Sequence, residues 1–183
     1  DSEMIRKEYQ NKINKQNKQN NLNQKLDLAL INHKNGAIDK AILNYEFYFA
    51  RNENNPVCNT NLAILYKTKK RVDKAIFLYE KTIENSPQFL NTYINYSSLL
   101  LELKNYNKSF EVVQKGLLID SQNTSLLINK SLVFYFLEQF DNSKKEINKA
   151  LALEPNKFNT SLILFNLEYK FKNKKYIDNF INE

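Results

Sequence analysis

The chain has 183 residues and a formal net charge of +7, with 27 Lys and Arg against 20 Asp and Glu. It contains only two glycines and three prolines, which favours helices over a sandwich or barrel of strands. We expect an all-α chain, long enough for one domain or one repeat array, and no membrane span, because no stretch approaches roughly 18 uninterrupted apolar residues.

The first predicted element, residues 1–21, is rich in Lys, Asn and Gln. A thin stripe of apolar residues recurs there at helical spacing: Met4, Ile5, Tyr9 and Ile13. Two interpretations are open. The segment is either a polar helix that extends into the next element or a tether to upstream sequence.

The compartment is left open by the sequence. Cys58 is the single cysteine, so no internal disulfide can form, which suits a reducing compartment. The sequence starts at Asp1 without a basic-then-apolar leader, so a signal peptide or anchor could have been removed. We therefore leave the localisation open, with the cytoplasm slightly favoured. The alternative, if upstream sequence was removed, is a periplasmic or membrane-tethered location.

A repeat begins after residue 21. The segment DKAILNYE, Asp39–Glu46, returns as DKAIFLYE, Asp73–Glu80, and the second copy starts 34 residues after the first. This interval divides the chain into units 22–55, 56–89, 90–123 and 124–157, followed by a partial fifth unit, 158–183. A fixed interval of this length is typical of stacked supersecondary units.

Two columns of the repeat hold only small residues. The eighth column contains Ala29, Ala63, Ser97 and Ser131. The twentieth contains Ala41, Ala75, Ser109 and Ser143. Helices approach closely only where side chains are small, so each unit is predicted to be a tightly packed helix hairpin.

The hairpins are delimited by turn signals. Helix A is predicted over roughly the first fourteen positions of each unit, and helix B over the remainder. The predicted turns are Asn35-Gly36, Lys69-Lys70, Lys104-Asn105 and Glu138-Gln139. Two apolar columns are predicted to be core: Ile38, Val72, Tyr106 and Phe140, and Phe49, Ile83, Leu117 and Leu151. Near the ends of the units, Pro87 and Pro155 with neighbouring asparagines stop the helices.

These columns resemble the tetratricopeptide repeat family, whose unit of 34 residues has small residues at columns 8 and 20, aromatic residues at 11 and 24, and proline at 32. The resemblance implies an all-α, right-handed α-solenoid of stacked antiparallel helix hairpins, with 158–183 as a cap.

Three residues depart from the family pattern. Lys130 stands where leucine is usual, and Tyr48 and Thr82 stand where alanine is usual, so the first two hairpins are expected to splay slightly.

The resemblance also implies a groove lined by columns 2, 5, 6, 9, 12 and 13 of the A helices, where a peptide or partner helix would lie. Its apolar and aromatic candidates are Leu26, Leu30, Ile64, Ile94, Ile128, Leu132 and Tyr135, with His33 beside the first turn. Column 6 supplies Asp27, Asn61, Asn95 and Asn129. Amide side chains offer a donor and an acceptor to a peptide backbone, although asparagine is abundant throughout this chain.

We recognise no set of catalytic residues in the sequence. One His and one Cys cannot build a zinc site, and glycines are too few for a phosphate-binding loop. We therefore predict no enzyme activity, cofactor or metal. Cys58, near the start of a predicted helix, could have a pKa lowered by the helix dipole, but inert packing is the favoured interpretation.

We predict a scaffold that binds another protein through the groove. Some family members clamp acidic carboxyl termini through lysine at column 5, asparagine at column 9 and basic residues at columns 2 and 6, and those four columns hold no Lys or Arg here. One alternative is an RNA-binding repeat protein that uses two lysine-rich turns: Lys67, Lys69, Lys70, Arg71 and Lys74, and Lys170, Lys172, Lys174 and Lys175. Nucleic acid is disfavoured because base readers are not evident in the groove. The last alternative is a targeting module of a larger enzyme.

Overall fold

The computed structural model describes residues 2–155 and Tyr169. These residues form helices and no β-strand. The chain divides into two compact units, Asp1–Ser86 and Pro87–Glu183. Apart from Tyr169, the predicted partial fifth unit, 158–183, lies outside the described residues.

The first unit contains four helices: α1 (Ser2–Lys34), α2 (Ile38–Phe49), α3 (Pro56–Thr68) and α4 (Val72–Asn85). Each helix packs against the next one along the chain. Helix α1 runs without a break from the polar N-terminal segment into the first predicted helix A. The described side chains before residue 22 are exposed, so packing against α2 is confined to the later part of α1.

The second unit contains α5 (Leu90–Glu102), α6 (Tyr106–Ile119), α7 (Thr124–Phe136) and α8 (Phe140–Leu153). Consecutive helices again pack together, and α5 also packs against α7. The two A helices of this unit, α5 and α7, are therefore neighbours.

Asparagine side chains fix the starts of two A helices. The Asn55 Oδ1 accepts a hydrogen bond of 2.9 Å from the Cys58 backbone N–H, and Pro56 occupies the first helical turn. Asn123 caps α7 in the same way, accepting from the Leu126 N–H at 3.1 Å. Each cap satisfies a backbone donor that the first turn of a helix leaves unpaired.

The small columns meet as the sequence predicts. All eight alanines and serines of columns 8 and 20 are fully buried. In the second unit the serines also bridge the two helices of each hairpin. The Ser109 hydroxyl donates to the Ser97 carbonyl at 2.9 Å, and the Ser143 hydroxyl donates to the Ser131 carbonyl at 2.7 Å. The prediction of closely packed hairpins is confirmed.

One residue in each turn within a hairpin has a left-handed backbone. Gly36, Lys70, Lys104 and Glu138 have φ between 58° and 73°, and all four stand at column 15. The next residue donates its N–H to a carbonyl five residues back, as from Arg71 to Tyr66 at 2.8 Å, which closes the helix end. Only Gly36 adopts this conformation without the steric cost that a Cβ atom brings.

Columns 17 and 28 are less buried than the core assignment predicts, because all eight residues are half-buried. Column 17 supplies the first residue of each B helix, as Ile38 does in α2, so it borders the solvated turn. The fully buried apolar column is column 24, which contains Tyr45, Tyr79, Val113 and Ile147.

The charge of Lys130, which departs from the family pattern, is paired with a carboxylate across its hairpin. Its Nζ lies 3.4 Å from Oε1 of Glu146 on α8, and Lys149 Nζ lies 3.0 Å from the same atom. The side chain of Glu146 is only 7% exposed. Two lysines therefore pair with this buried carboxylate, and without them the burial of its charge would be costly.

Candidate functional site

In the second unit, the predicted groove residues lie on the neighbouring helices α5 and α7. Ile94, Ile128, Leu132 and Tyr135 are half-buried. These side chains keep apolar surface accessible while their backbones are fixed by helix packing. We call the surface of Ile94, Asn95, Ile128, Leu132 and Tyr135 the α5–α7 face.

Asn129 lies at the base of the α5–α7 face and joins its two helices. Its Nδ2 donates to the Ile94 carbonyl at 3.2 Å and to the Ser97 hydroxyl at 2.8 Å. Both amide hydrogens are used, and the residue is only 9% exposed. Asn129 thus sets the separation and register of α5 and α7.

Asn95 has a different role. Its Nδ2 donates to the backbone carbonyl of Asn91 in its own helix, at 2.8 Å. This bond lies at the exposed surface and joins no second helix. Loss of this bond would therefore leave the packing between α5 and α7 intact.

An aromatic cluster borders the face at the end of α7. The Tyr135 ring stands edge-on to Phe136 at 5.3 Å and to Phe140 at 6.1 Å. Phe136 stacks on Tyr106 with ring centres 5.1 Å apart, and it is 46% exposed. Of these four rings, only Tyr135 is predicted from the sequence to line the groove, whereas Tyr106 and Phe140 are predicted to be core. The aromatic run Phe134–Phe136 was the available signal for Phe136.

In the first unit, the predicted groove residues are divided between α1 and α3. On α1, Leu26 is half-buried, whereas Asp27 and Leu30 are exposed. On α3, Asn61 and Ile64 are half-buried. Helix α2 packs against both helices.

His33 and Asn61 face the tyrosine in the centre of α2. The His33 ring is edge-on to Tyr45 at 6.1 Å, and burial lowers the pKa of the imidazole. Burial raises the pKa of the Tyr45 hydroxyl to about 12, and interaction with the Asn61 amide opposes part of this rise. At neutral pH these groups form an uncharged contact.

Cys58 is a packing residue. Its side chain is fully buried, its thiol donates to the Tyr45 carbonyl at 3.6 Å, and burial raises its pKa to about 12. The dipole of α3 does not activate it, because desolvation outweighs the favourable field of the helix.

The first lysine-rich turn is partly engaged in internal contacts. Lys69 Nζ forms an ion pair of 2.7 Å with Asp39 Oδ1. The Arg71 and Lys74 cations lie 5.8 and 5.4 Å from the centre of the Tyr66 ring. The second turn, around residues 170–175, lies outside the described residues, so the RNA-binding alternative stays a prediction.

Metal ligands do not cluster in the described part of the chain. Among residues 2–155 and Tyr169, no group of three His, Cys, Asp or Glu is placed to hold a metal ion. None of the helices formed by these residues combines the length and apolar character needed to cross a bilayer.

Comparison with known proteins identifies the repeat. The tetratricopeptide repeat profile matches residues 58–89, 90–123 and 124–157, more than half of the chain. No curated protein matches the sequence. The chain belongs to the tetratricopeptide repeat family.

Solved structures show the same fold at low sequence identity. MamA residues 41 to the end, from Desulfovibrio magneticus RS-1, aligns with a TM-score of 0.74 at 14% identity, covering 88% of this chain and 91% of that one. PilF of Pseudomonas aeruginosa gives 0.74 at 18%, covering 88% and 75%. A thermophilic repeat protein of this class from Thermus thermophilus, TTC0263, gives 0.70 at 19%, covering 82% of each chain.

The fold is therefore an all-α helical-repeat solenoid. Its repeats make the chain a protein-interaction scaffold. Repeats of this family are generally non-catalytic.

Proposed function

We propose that the chain is a non-catalytic scaffold that binds a helix or an extended peptide of a partner protein within a multiprotein assembly. The observation that carries the proposal is the α5–α7 face. There, half-exposed apolar side chains from two helices are held at a fixed separation by Asn129. Such a rigid apolar surface lowers the entropic cost of binding a partner.

The α5–α7 face would receive apolar side chains of the partner. Ile94, Ile128 and Leu132 supply aliphatic surface, and Tyr135 adds a ring with a polar end, which suits a binding hot spot. Asn95 would exchange its local hydrogen bond for one to the partner backbone. Asn129 acts as a positioning residue beneath them.

The first unit would contribute a second stretch of surface. Its candidates are Leu26, Asp27, Leu30, His33, Asn61 and Ile64. Leu30 is 38% exposed, and the half-buried Ile64 offers a similar aliphatic contact on α3. Both units would therefore present A-helix side chains of the same chemical type.

Selection of peptides from a random display library tests this proposal. We expect the enriched peptides to carry apolar anchors, and the Leu132→Ala and Tyr135→Ala variants to weaken their binding by about tenfold, or about 1.4 kcal/mol each. Leu118→Ala is the matched control, since Leu118 lies on α6 and is 87% exposed. Equal loss of binding in all three variants, or loss only in the control, would refute the site.

A salt series distinguishes the RNA-binding alternative. An apolar contact depends weakly on salt, whereas phosphate binding falls steeply with added salt. Filter binding of an RNA oligonucleotide that is strong at low salt and lost at high salt would favour the lysine-rich turns over the α5–α7 face.

A further inference from the structure

A cleft in the first unit lies between the extended part of α1 and the end of α2, outside the predicted groove columns. Its volume is about 670 Å³. Three cations line it, Lys15 and Lys18 from α1 and Arg51 after α2, together with Phe47 and Leu22. Three amide side chains of α1 complete the lining, and none of the lining residues is acidic.

Arg51 is held in a defined orientation in this cleft. Its guanidinium carbon lies 3.6 Å from the centre of the Phe47 ring, and its Nη1 donates to the Phe47 carbonyl at 2.9 Å. Stacking and this hydrogen bond restrict the side chain. The remaining donors of the planar guanidinium match the two oxygens of a carboxylate.

The lysines add charge that is not balanced locally. Lys15 and Lys18 are three residues apart on α1, so they share a helix face. Within the part of the chain that the structure describes, neither they nor Arg51 form an ion pair, whereas Lys12 pairs with Glu8 on the same helix at 3.7 Å. Like charges in one cleft repel each other, and an anionic ligand would relieve that repulsion.

We propose that this cleft binds an acidic segment of a polypeptide through closely spaced Asp or Glu carboxylates. The amides of α1 would pair with the peptide backbone, since each offers a donor and an acceptor. Nucleic acid fits less well. Base stacking requires an open aromatic face, whereas the Phe47 ring already contacts the Arg51 guanidinium, and Lys25 Nζ lies 5.4 Å from its centre.

Fluorescence anisotropy with labelled, N-acetylated hexaglutamate tests the proposal on the full chain. We expect saturable binding that weakens with salt. Combining Lys15→Gln, Lys18→Gln and Arg51→Gln should weaken it by about tenfold, the sum of three exposed charge contacts. Combining Lys40→Gln, Lys108→Gln and Lys145→Gln removes the same charge from exposed positions elsewhere and should leave binding nearly unchanged.

Three results would overturn the site: equal weakening by the two triple variants, binding by Arg51→Lys as tight as by the parent, or tighter binding of a thymidine hexanucleotide than of hexaglutamate. The first would indicate unspecific charge attraction. The second would remove the role of the guanidinium fork. The test is independent of the α5–α7 face, because Leu132→Ala should not change hexaglutamate binding.

Discussion

The side-chain amide of Asn129 on α7 donates a hydrogen bond of 2.8 Å to the hydroxyl of Ser97 on α5. Ser97 is itself one of the small, fully buried residues of column 8. The residue that lets helices within a hairpin approach closely therefore also anchors the next A helix. Packing within one repeat and alignment between two repeats are coupled at this point.

This relationship separates two asparagines that look equivalent in the sequence. Asn129→Ala should lower the free energy of unfolding by about 1–3 kcal/mol, because it removes two hydrogen bonds in a buried contact. Asn95→Ala should change it by no more than about 0.5 kcal/mol, since its bond is local and exposed. Urea denaturation of both variants measures this difference, and equal stability would contradict the role of Asn129.

Gly116 is predicted not to tolerate alanine. A Cβ atom there would lie 2.9 Å from Tyr93 Cβ and 2.7 Å from Leu126 Cδ1. Leu126 can shift, but Tyr93 Cβ is attached directly to the backbone of α5. Gly116→Ala should therefore lower stability by about 1–3 kcal/mol through overpacking, despite the gain of about 1 kcal/mol in helix propensity. A rise in thermal midpoint would show that α6 has room to move.

The left-handed turn residues offer a stabilising change. Lys104→Gly removes a steric cost of about 1–2 kcal/mol from the folded state. The greater conformational entropy of glycine in the unfolded chain opposes this gain by about 0.4–1 kcal/mol. We expect a net gain of roughly 0.5–1 kcal/mol. Gly36→Lys is the reverse control and should destabilise, although its surroundings are open. Chemical denaturation of the pair checks the sign of both effects.

Cys58 and Tyr45 predict a loss of stability in alkali. Burial raises both pKa values to about 12 from ordinary values of 9.0 and 10.0. At pH values between the ordinary and the raised pKa of each group, the unfolded chain releases protons that the folded chain retains, so the free energy of unfolding falls as pH rises. Cys58→Val should make the decline from pH 9 less steep. An identical pH profile in this variant would show that Cys58 contributes nothing to it.

Much of the hairpin architecture could be predicted from the sequence, because the exact period aligns Ala29 and Ala41 with their counterparts in later units. The turn conformation at Lys70 could also have been inferred, since Gly36 stands in the same column. The role of Asn129 could not, because Ser97 is 32 residues away and meets it only when α5 and α7 pack. The cleft at Arg51 could not be predicted for a similar reason: Lys15 lies outside the period, and the length of α1 brings it there.

Photo-crosslinking tests the central claim most directly. Benzoylphenylalanine is introduced at Leu132 on the α5–α7 face or at Leu118 on α6, and each protein is irradiated with a peptide selected for binding. The account predicts a covalent adduct from position 132 and none from position 118. Adducts from position 118 alone would place the partner on the B helices and contradict it.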